Sequence, residues 1–459
     1  MSDRGAIHAW VLDHRSDLLD TLKRFVGLPS ENRMPFGDER MAQEEMAREL
    51  ASIGFEVERF EPDAPQGVRQ HPAFMPGREY RDRPCIVGIR RGTGGGRSLL
   101  FSGHMDTVPR GLDRWDRSPF TGITEEDRLY GLGAFDMKAG LVAGLLGYRA
   151  LHDLGWRSKG DLLFESVVDE EFGGANGTLA CRVKGVRADL AVVAEPTNGV
   201  ICPAHRGGAM LRFTFIGRAG HFVGSSISST STPNPISAAA KYISLLEDFN
   251  AWRNRRPIPP DFADNPELPM ELVQMVAGDP SYPMGDRNPG RAHLTVWFEC
   301  DPDVSQDELL DDLRRFTQPR MMEDPVLSRM QPVIEPQLRF LEGSRMQADH
   351  PGIALLAQTA GEVTGEVPRI AGGPFTCDAF LFNRYSTTPA LLYGPRGGSA
   401  HATDEYVLVQ DFLNLVETFA LFAVNWAGRD ETISGDHKDP LTERSTGQVG
   451  SVERAGGAL

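Results

Sequence analysis

The sequence predicts an α/β protein in which a doubly wound domain carries an inserted α+β domain. Short apolar strands alternate with helical stretches up to about residue 205, and this alternation resumes near residue 350. Between these parts, the predicted strands alternate apolar and polar residues, as in an antiparallel sheet with one open face. We therefore expect residues 1–205 and 346–428 to form one domain, with residues 206–345 inserted into it.

The predicted doubly wound domain begins with helices. Apolar residues at helical spacing indicate amphipathic helices over residues 7–26 and 39–53, and the Pro-, Gly- and charge-rich residues 63–82 indicate a loop. Further elements follow in chain order: the strands FEVERF, PCIVGIRRG and RSLLFSGH, a helix over residues 138–154, and the strands DLLFESVVDEE and ADLAVVAEP.

The predicted insertion contains four strands and two helices. The strands are AMLRFTFIGRAG, ELVQMVAGD, AHLTVWFEC and EPQLRFLEG, and the helices are NPISAAAKYISLLEDF and SQDELLDDLRRF. This set predicts a ferredoxin-like sheet with two helices. The first domain then resumes with the helix GIALLAQTAGEVTG, the strand PALLYGP and a helix over residues 410–426, and the polar residues 429–459 are predicted to be disordered.

Composition excludes several classes of protein. The net charge of −16, from 48 basic and 64 acidic residues, argues against binding to nucleic acids or to anionic membranes. The five scattered cysteines form no CxxC pair, which argues against a disulfide framework and a thiolate zinc site. There is no signal-peptide-like apolar region and no run of about 18 apolar residues. We expect a cytoplasmic protein of the size of an enzyme.

The stretch SGHMDTVP places His104 and Asp106 two residues apart at the end of a predicted buried strand. Residues i and i+2 of an extended segment point the same way, so the imidazole and the carboxylate can act together. The ends of strands are also where open α/β sheets bind ligands. Taken alone, however, so short a motif is more often a solvated polar turn.

Four further sites carry acidic or imidazole groups near predicted strand exits, and each has an alternative when taken alone. Asp136 is equally well placed to cap the helix that follows, and the segment DEEFGG is typical of a solvated acidic turn. Glu195 is an ordinary strand exit before a proline, and His401 an ordinary surface imidazole. Together with His104 and Asp106, these groups occupy five predicted strand exits of one sheet. This coincidence favours a common site over five unrelated polar positions.

Carboxylates brought together at one site repel each other unless positive charge lies between them. Two divalent cations supply that charge, and imidazole with carboxylate oxygen suits Zn²⁺, with Co²⁺ or Mn²⁺ as alternatives. Adjacent residues on an extended segment point in opposite directions, so one of the tandem glutamates can bind metal while the other takes a proton. We predict Glu171 as the ligand and Glu170 as the general base.

With these motifs the sequence resembles a family of dinuclear-zinc amidohydrolases and exopeptidases. That family contains acetylornithine deacetylase, succinyl-diaminopimelate desuccinylase, aminoacylase and glutamate carboxypeptidase. The resemblance rests on SGHMDTVP, GLGAFDMKAG, VVDEEFGG, AEPT and GGSAHATDE, which occur in this order on both sides of the insertion. It implies a zinc-exopeptidase-like catalytic domain and an inserted domain that acts as a lid and forms a homodimer.

The resemblance also implies roles for single residues. The implied metal ligands are Asp136 as the bridge, His104 and Glu195 at one metal, and Glu171 and His401 at the other. Asp106 would hydrogen-bond the ring of His104 and fix its tautomer. Glu170 would deprotonate the bridging water and pass the proton to the leaving nitrogen. His221 in GRAGHFVG matches the histidine of the family's lid that stabilises the oxyanion, often from the partner subunit.

Substrate contacts are implied less directly. Asn234 matches a substrate-contacting asparagine, and a Gly-rich substrate loop is implied by Gly373, Thr376 and Asp378, which as a sequence also fit a simple turn. Ala139 replaces a glycine of many relatives. Many relatives also hold a substrate carboxylate with an arginine on the third lid strand, where this chain reads HLTVWFECDP without arginine.

The expected activity is hydrolysis of the amide bond of a small N-acyl amino acid or related amide. The alternative is a dipeptidase or carboxypeptidase with the same dinuclear centre. A non-enzymatic protein built on this fold is disfavoured because Glu170 is retained.

Overall fold

The computed structural model describes residues 2–174, 176–221, 233–278 and 287–431, and of His221 it describes only the main chain. Its helices are α1 Asp3–Asp13, α2 Arg15–Gly27, α3 Arg40–Ser52, α4 Ala139–Asp153, α5 Gly177–Lys184, α6 Pro235–Arg253, α7 Gln306–Glu323, α8 Pro351–Thr364, α9 Phe380–Tyr385 and α10 Val409–Ala427. Most of the predicted tail, residues 432–459, lies outside the described residues.

The strands are short, and several have only two or three residues. In chain order they are β1 Glu56–Phe60, β2 Cys85–Arg90, β3 Leu99–His104, β4 Ile123–Glu125, β5 Arg128–Tyr130, β6 Leu162–Val167, β7 Leu190–Val193, β8 Ala204–His205, β9 Gly207–Ile216, β10 Gly220–His221, β11 Met270–Ala277, β12 Arg287–Asn288, β13 Arg291–Cys300, β14 Val333–Pro336, β15 Ser344–Arg345, β16 Ala390–Leu392, β17 Gly397–Gly398 and β18 Tyr406–Leu408.

The central sheet has the order β1-β2-β6-β3-β7-β16 and confirms the predicted α/β fold class. Strands β6, β3, β7 and β16 run parallel, whereas β2 runs antiparallel to both of its neighbours, β6 and the edge strand β1. Every residue of β3, β6 and β7 is buried, as expected for parallel strands that are covered on both faces. The carboxyl ends of these three neighbouring strands therefore share one edge of the sheet.

Helix α4 packs closely against this edge because of a glycine. A Cβ atom at Gly140 would lie 1.9 Å from the carbonyl oxygen of Ala194, which directly follows β7. Only glycine permits so close an approach of a helix to the backbone at a strand's end. This contact brings the start of α4 next to the segment that carries Glu195.

A small antiparallel sheet of order β17-β18-β5-β4 lies outside the predicted elements. The pairing of β18 with β5 joins residues 406–408 to residues 128–130. Strands this short carry too few residues to show an alternating pattern, so sequence periodicity did not reveal them. The predicted helix over residues 7–26 is also wrong in one respect, since His14 separates α1 from α2.

The insertion folds as predicted into an antiparallel sheet, of order β11-β13-β9-β14, with α6 and α7 packed on one face. Its apolar side chains form a core within residues 209–330, while the core of the large domain draws on residues 7–202 and 346–427. The predicted domain bounds remain a proposal. Among the described residues, no helix combines the length and apolarity that crossing a bilayer requires.

The predicted strand EPQLRFLEG is misplaced, because β14 ends at Pro336. The main chain still bonds to β9 through Gln337, whose N–H donates to Met210 at 2.8 Å, and through Leu341, which pairs with Gly208. The residues between these two contacts leave the sheet. Leu338, one of them, lines a cavity described below, as does the paired Leu341.

The two chain segments that connect the insertion to the large domain pair with each other as β8 and β15. His205 on β8 is fully buried, with its Nδ1 atom 2.8 Å from the carbonyl oxygen of Arg206. A carbonyl oxygen only accepts, so Nδ1 carries the proton and Nε2 accepts a 2.9 Å hydrogen bond from the Ser344 hydroxyl. Burial lowers the pKa of His205 to about 4, so its ring is neutral at neutral pH.

Candidate metal centre and active-site cavity

Three adjacent strands of the central sheet place acidic and imidazole side chains at one edge. His104 is the last residue of β3, Glu170 and Glu171 follow β6, and Glu195 follows β7. Because β6, β3 and β7 are parallel neighbours, their carboxyl ends bring these side chains together. The prediction that these groups share one sheet edge is confirmed.

The prediction that Asp136 and His401 lie at strand exits of the same sheet as the other groups is wrong. Both residues lie in segments that adjoin strands of the small sheet. Asp136 lies in an irregular turn, Ala134–Lys138, between β5 and α4. His401 lies in the loop between β17 and β18 and has φ of 59°, a left-handed conformation that non-glycine residues rarely adopt. Since β18 pairs with β5, the small sheet brings the two segments to the edge of the central sheet.

The carboxylate of Asp136 lies between two imidazoles. Its Oδ1 atom is 3.3 Å from His104 Nε2, and its Oδ2 atom is 3.3 Å from His401 Nε2. On the His401 side, Nε2 is 2.9 Å from Glu171 Oε2, and on the His104 side, Nε2 is 4.0 Å from Glu195 Oε2. The grouping is the one expected for a carboxylate that bridges two cations, each with one further imidazole and one further carboxylate.

The ring of His104 is oriented by Asp106, although not by the predicted atom. Nδ1 of His104 is 2.8 Å from the main-chain carbonyl oxygen of Asp106, whereas the Asp106 carboxylate is 3.7 Å away. Because the carbonyl only accepts, Nδ1 carries the proton of the neutral ring. In that neutral ring, Nε2 presents a free lone pair to the site, and this is the form that binds a metal.

The Asp106 carboxylate instead holds the tandem glutamates. It accepts hydrogen bonds from the main-chain N–H groups of Glu170 and Glu171, at 3.2 and 3.0 Å, and from the side-chain amide of Asn32 at 2.8 Å. The Asp106 side chain is fully buried. It fixes the segment that carries both glutamates relative to His104.

Beneath the tandem glutamates lies a buried polar network that the sequence did not reveal. Asp169, with φ of 75°, accepts hydrogen bonds from Arg78 Nε at 2.8 Å, Tyr80 Oη at 2.6 Å, Asn32 Nδ2 at 3.2 Å and Arg83 Nη2 at 3.2 Å. Arg78 and Tyr80 come from the predicted loop region and Arg83 directly follows it, whereas Asn32 comes from a segment about thirty residues upstream of the loop. Asp169 itself stands in the motif VVDEEFGG, which was the one available signal.

Glu405 is a second positioning residue that sequence reasoning missed. Its carboxylate accepts hydrogen bonds from the main-chain N–H groups of Gly133, Phe135 and Asp136, at 2.7, 2.8 and 2.8 Å. Burial raises the pKa of Glu405 to about 8, while these three N–H groups act in the opposite direction. The sequence contained one indication of this role, because Glu405 ends the motif GGSAHATDE, four residues after His401.

The electrostatics of the cluster fit a divalent cation. Burial raises the pKa of Glu170 and Glu195 well above the usual range, and neighbouring carboxylates raise both further. Burial opposes a charged His104, yet the hydrogen bond to Asp136 and the adjacent carboxylates raise the pKa of His104 well above its ordinary value. In the part of the chain that the structure describes, the buried Oε1 atom of Glu195 has no hydrogen-bond partner. Such a set of donors matches Zn²⁺, Co²⁺ or Mn²⁺.

A cavity of about 580 Å³ joins this cluster to the insertion. The cluster side contributes Asp136, Glu170, Glu171, Glu195 and His401 to its wall. The remaining lining residues are mainly apolar and fall into three groups: Met210, Trp297, Glu299, Leu338 and Leu341 from the insertion, Phe135, Gly173, Gly174 and Pro196 near the cluster, and Pro374, Phe375, Thr376, Cys377 and Ala400 from the C-terminal part. A cavity of this size holds a small-molecule substrate.

The residues predicted to contact substrate take different positions. Thr376 lines the cavity, whereas Asp378 is buried, accepts a hydrogen bond from the Thr178 hydroxyl, and groups with Glu170 and Glu195. The N–H of Gly373 donates to Ala204 O at 2.8 Å. These roles remain predictions.

Two residues of the insertion were also predicted to act at the site, Asn234 through a substrate contact and His221 through an oxyanion contact. Asn234 caps α6 by accepting a hydrogen bond from the N–H of Ile236 at 2.8 Å, and it is not among the described residues that line the cavity. The side chain of His221 lies outside the described residues, and only its main chain is placed, in β10. The substrate contact of Asn234 and the oxyanion contact of His221 remain predictions.

Comparison with known proteins gives a consistent result. The model of peptidase family M20/M25/M40 matches residues 100–425 of this chain. A succinyl-diaminopimelate desuccinylase from Gluconacetobacter diazotrophicus is 29% identical over 338 residues, which cover 71% of this chain and 80% of the relative. An N-formyl-4-amino-5-aminomethyl-2-methylpyrimidine deformylase from Bacillus subtilis is 23% identical over 440 residues, which cover 91% of this chain and 96% of the relative.

Solved structures share the fold. The di-peptidase Dug1p from Saccharomyces cerevisiae superposes with a TM-score of 0.73 at 14% identity, over 93% of this chain and 99% of the other. An M20 family metallo-carboxypeptidase from Sulfolobus solfataricus gives a TM-score of 0.69 at 17% identity, over 89% of this chain and 98% of the other. At such identities the likeness shows the architecture, with its inserted domain, and not the substrate.

Proposed function

The chain belongs to peptidase family M20/M25/M40, and from this premise we propose that it binds two divalent metal ions and deacylates a small N-acyl amino acid or related amide. It is a hydrolase that acts on amide bonds. A desuccinylase and a deformylase among its relatives both remove an acyl group from nitrogen, which supports deacylation as the reaction.

The observation that carries the proposal is the position of Asp136 between two imidazoles. Each of its carboxylate oxygens lies 3.3 Å from the Nε2 atom of a different histidine, His104 or His401. We assign Asp136 as the bridge, His104 and Glu195 to one metal, and Glu171 and His401 to the other. Zinc is the preferred metal because the donors are imidazole and carboxylate without thiolate, with Co²⁺ or Mn²⁺ as alternatives.

Bound metal ions would supply a Lewis acid for the scissile carbonyl and a more acidic water. Glu170 is the general base. Its Oε2 atom lies 3.9 Å from His104 Nε2, its side chain is 12% exposed, and it lines the cavity beside the proposed ligands. Burial raises the pKa of Glu170, which suits a carboxylate that accepts a proton from water and then gives it to the leaving nitrogen.

Other parts of the chain prepare this proton transfer. Asp106 holds the main chain of Glu170 and Glu171 through two hydrogen bonds, so that the base and its neighbour keep fixed positions. The apolar wall contributed by Met210, Trp297 and Leu341 limits the water around the base. His221 stays our candidate for a contact with the oxyanion.

The second candidate function is cleavage of a dipeptide or of a C-terminal residue. Dipeptidases and a carboxypeptidase share the architecture, and the proposed dinuclear centre serves either reaction. The two functions differ in what surrounds the scissile bond, because aminopeptidase-like cleavage requires recognition of a free α-amine.

A screen of the purified, zinc-loaded protein against N-acyl amino acids, N-formyl amides and dipeptides tests the proposal. We expect hydrolysis of acylated amines and little hydrolysis of dipeptides with a free amine. The Glu170→Gln variant serves as the control for contaminating hydrolases. Preferential cleavage of dipeptides would replace the first function by the second, and hydrolysis of none of the three classes would refute both.

We also propose that the protein forms a homodimer through the insertion. Strand β11 lies at the edge of its sheet. Four of its apolar residues have exposed fractions between 45% and 54%: Leu272, Val273, Met275 and Val276. An exposed apolar edge strand offers unpaired main-chain groups and apolar surface to which a second copy of the chain can bind. Sedimentation analysis tests this, since a Val273→Lys variant should shift the mass from dimer to monomer, and a monomeric unaltered protein would refute it.

Finally, we propose a cytoplasmic location. All five cysteines are unpaired and buried, which is consistent with a reducing compartment. Fractionation of cells that express the full chain tests this proposal.

A further inference from the structure

Among the described residues that line the cavity, one carboxylate stands apart from the proposed metal ligands and general base. Glu299 lies on β13 of the insertion and lines the cavity together with Trp297 of the same strand and Met210 of β9. It is 5% exposed. A buried carboxylate in a largely apolar wall is costly unless a partner compensates its charge.

The hydrogen bonds of Glu299 are incomplete. The indole N–H of Trp297 donates to its Oε2 atom at 2.8 Å, whereas its Oε1 atom has no hydrogen-bond partner among the residues that are described. An ionised carboxylate accepts several hydrogen bonds, so one neutral donor leaves much of its capacity unused. A polar group in a ligand-sized cavity with unused capacity is a candidate for substrate recognition.

Two nearby arginines do not supply the missing partner. Arg253 donates to the main-chain carbonyls of Glu299, Leu268 and Pro269 and to the side chain of Asn250. The described contacts of the Arg206 guanidinium are hydrogen bonds to the carbonyls of residues 265 and 267, stacking on a phenylalanine ring, and an ion pair of 3.9 Å with Asp301. Within the described part of the chain, neither donates to the Glu299 carboxylate.

The Glu299 carboxylate consequently keeps unused hydrogen-bonding capacity. Burial raises the pKa of this carboxyl to about 7, while the Trp297 N–H and the two arginines act in the opposite direction. A cationic or N–H donor group that enters the cavity would favour the ionised form and complete its hydrogen bonds.

The described part of the cavity wall offers no comparable anchor for a substrate carboxylate. Of the described residues that line it, none is lysine or arginine. Arg339, whose neighbour Leu338 lines the cavity, donates to the carbonyls of Gly173 and Gly174 at 3.4 and 2.6 Å and stacks on Phe380. A carboxylate placed beside Glu299 would meet a like charge in a poorly solvated wall.

We propose that Glu299 recognises an N–H donor, preferably a protonated amine, on the part of the substrate that the metal centre does not engage. The substrate is then an amide with an amino substituent on an apolar or aromatic body, since Trp297, Met210 and Phe375 form the surrounding wall. This inference rests on the proposed amide hydrolysis and narrows its substrate class.

Matched probes test the inference by binding. Three N-acetylbenzylamines that differ only in a para substituent (aminomethyl, methyl or carboxylate) are titrated by calorimetry into zinc-loaded protein that carries Glu170→Gln to suppress turnover. We expect the aminomethyl probe to bind roughly 10- to 100-fold more tightly than the methyl probe, as for a hydrogen bond to a charged group. The carboxylate probe should bind more weakly than both.

Variants assign the preference to one side chain. Adding Glu299→Gln should remove the preference for the aminomethyl probe, and adding Trp297→Phe should keep it, since the carboxylate remains. Glu335→Gln is the matched control, because Glu335 is an exposed residue of β14 in the same sheet. Thermal unfolding confirms that each variant is folded.

The inference is overturned if the aminomethyl probe fails to bind, binds no more tightly than the carboxylate probe, or keeps its advantage in the Glu299→Gln variant. Hydrolysis by the unaltered protein is scored separately with the same three amides. Turnover without a preference for the amine refutes this inference alone, whereas amine-selective binding without turnover of any amide refutes the proposed function alone.

Discussion

The carboxylate of Glu405 accepts a 2.8 Å hydrogen bond from the main-chain N–H of Asp136. Two further N–H groups of the same turn, those of Gly133 and Phe135, donate to this carboxylate. Glu405 stands at the end of the loop that carries His401, so a single side chain fixes the turn of the proposed bridging ligand against the loop of a second ligand. The geometry of the proposed centre therefore depends on a residue that contacts no metal.

Replacing Glu405 with glutamine should weaken metal binding about 10- to 100-fold, as is typical for residues that orient ligands. The side-chain amide of the introduced glutamine has only one acceptor oxygen, and its NH₂ group would face a main-chain N–H donor of the turn. Competition with a chelator measures the affinity. Asp404→Asn is the matched control, since the Oδ1 atom that accepts from the N–H of Arg117 is retained. Equal affinities for the two variants would contradict the role of Glu405.

Replacing Glu170 with glutamine should lower turnover by about 10²- to 10⁴-fold, the usual contribution of a general base. Metal content should stay at the value of the unaltered protein, because Glu170 is assigned no metal. Steady-state kinetics and elemental analysis of the same sample check both statements. A fully active variant removes Glu170 as the base, and a variant without metal makes it a ligand.

Replacing Glu195 with alanine should reduce the metal content and the stabilisation that metal provides. Metal that binds only the folded chain raises the unfolding free energy by about 2.7 kcal/mol when its free concentration is one hundred times its dissociation constant. Thermal unfolding with and without a chelator measures this difference. It should be large in the unaltered protein and in the exposed control Glu366→Ala, and small in Glu195→Ala. An unchanged metal content in Glu195→Ala refutes the ligand assignment.

His205 should make the stability fall in acid. Burial lowers its pKa in the folded protein to about 4 from an ordinary value of 6.5, so between these values only the unfolded chain binds the proton. Lowering the pH through this window therefore favours unfolding, by up to about 3 kcal/mol in total, whereas above pH 6.5 the residue contributes no pH dependence.

Urea unfolding of metal-free protein between pH 7 and pH 4 measures this effect. The free energy of unfolding of the His205→Gln variant should fall less steeply with acidity than that of the unaltered protein, because other titrating groups are common to both. Parallel curves would show that His205 does not titrate differently in the two states.

The sequence predicted the proposed metal ligands because each lies in a local pattern. His104 ends one apolar strand, Glu195 follows another, and the motif around His401 is recognisable without any neighbour in space. The two-domain α/β architecture was also predicted, since the change from continuous apolar strands to alternating ones is visible along the chain. Such features depend on residues that are close in sequence.

The tertiary structure alone decided how the site is held and what surrounds the substrate. Glu405 and Asp136 are separated by 269 positions, and they meet because two three-residue strands pair, which no periodicity reveals. Glu299 and Leu338 reach the cavity because the insertion folds against the large domain. Local patterns determine strand, helix and motif, whereas hydrogen bonding and burial between distant segments determine which polar groups remain free to bind a substrate.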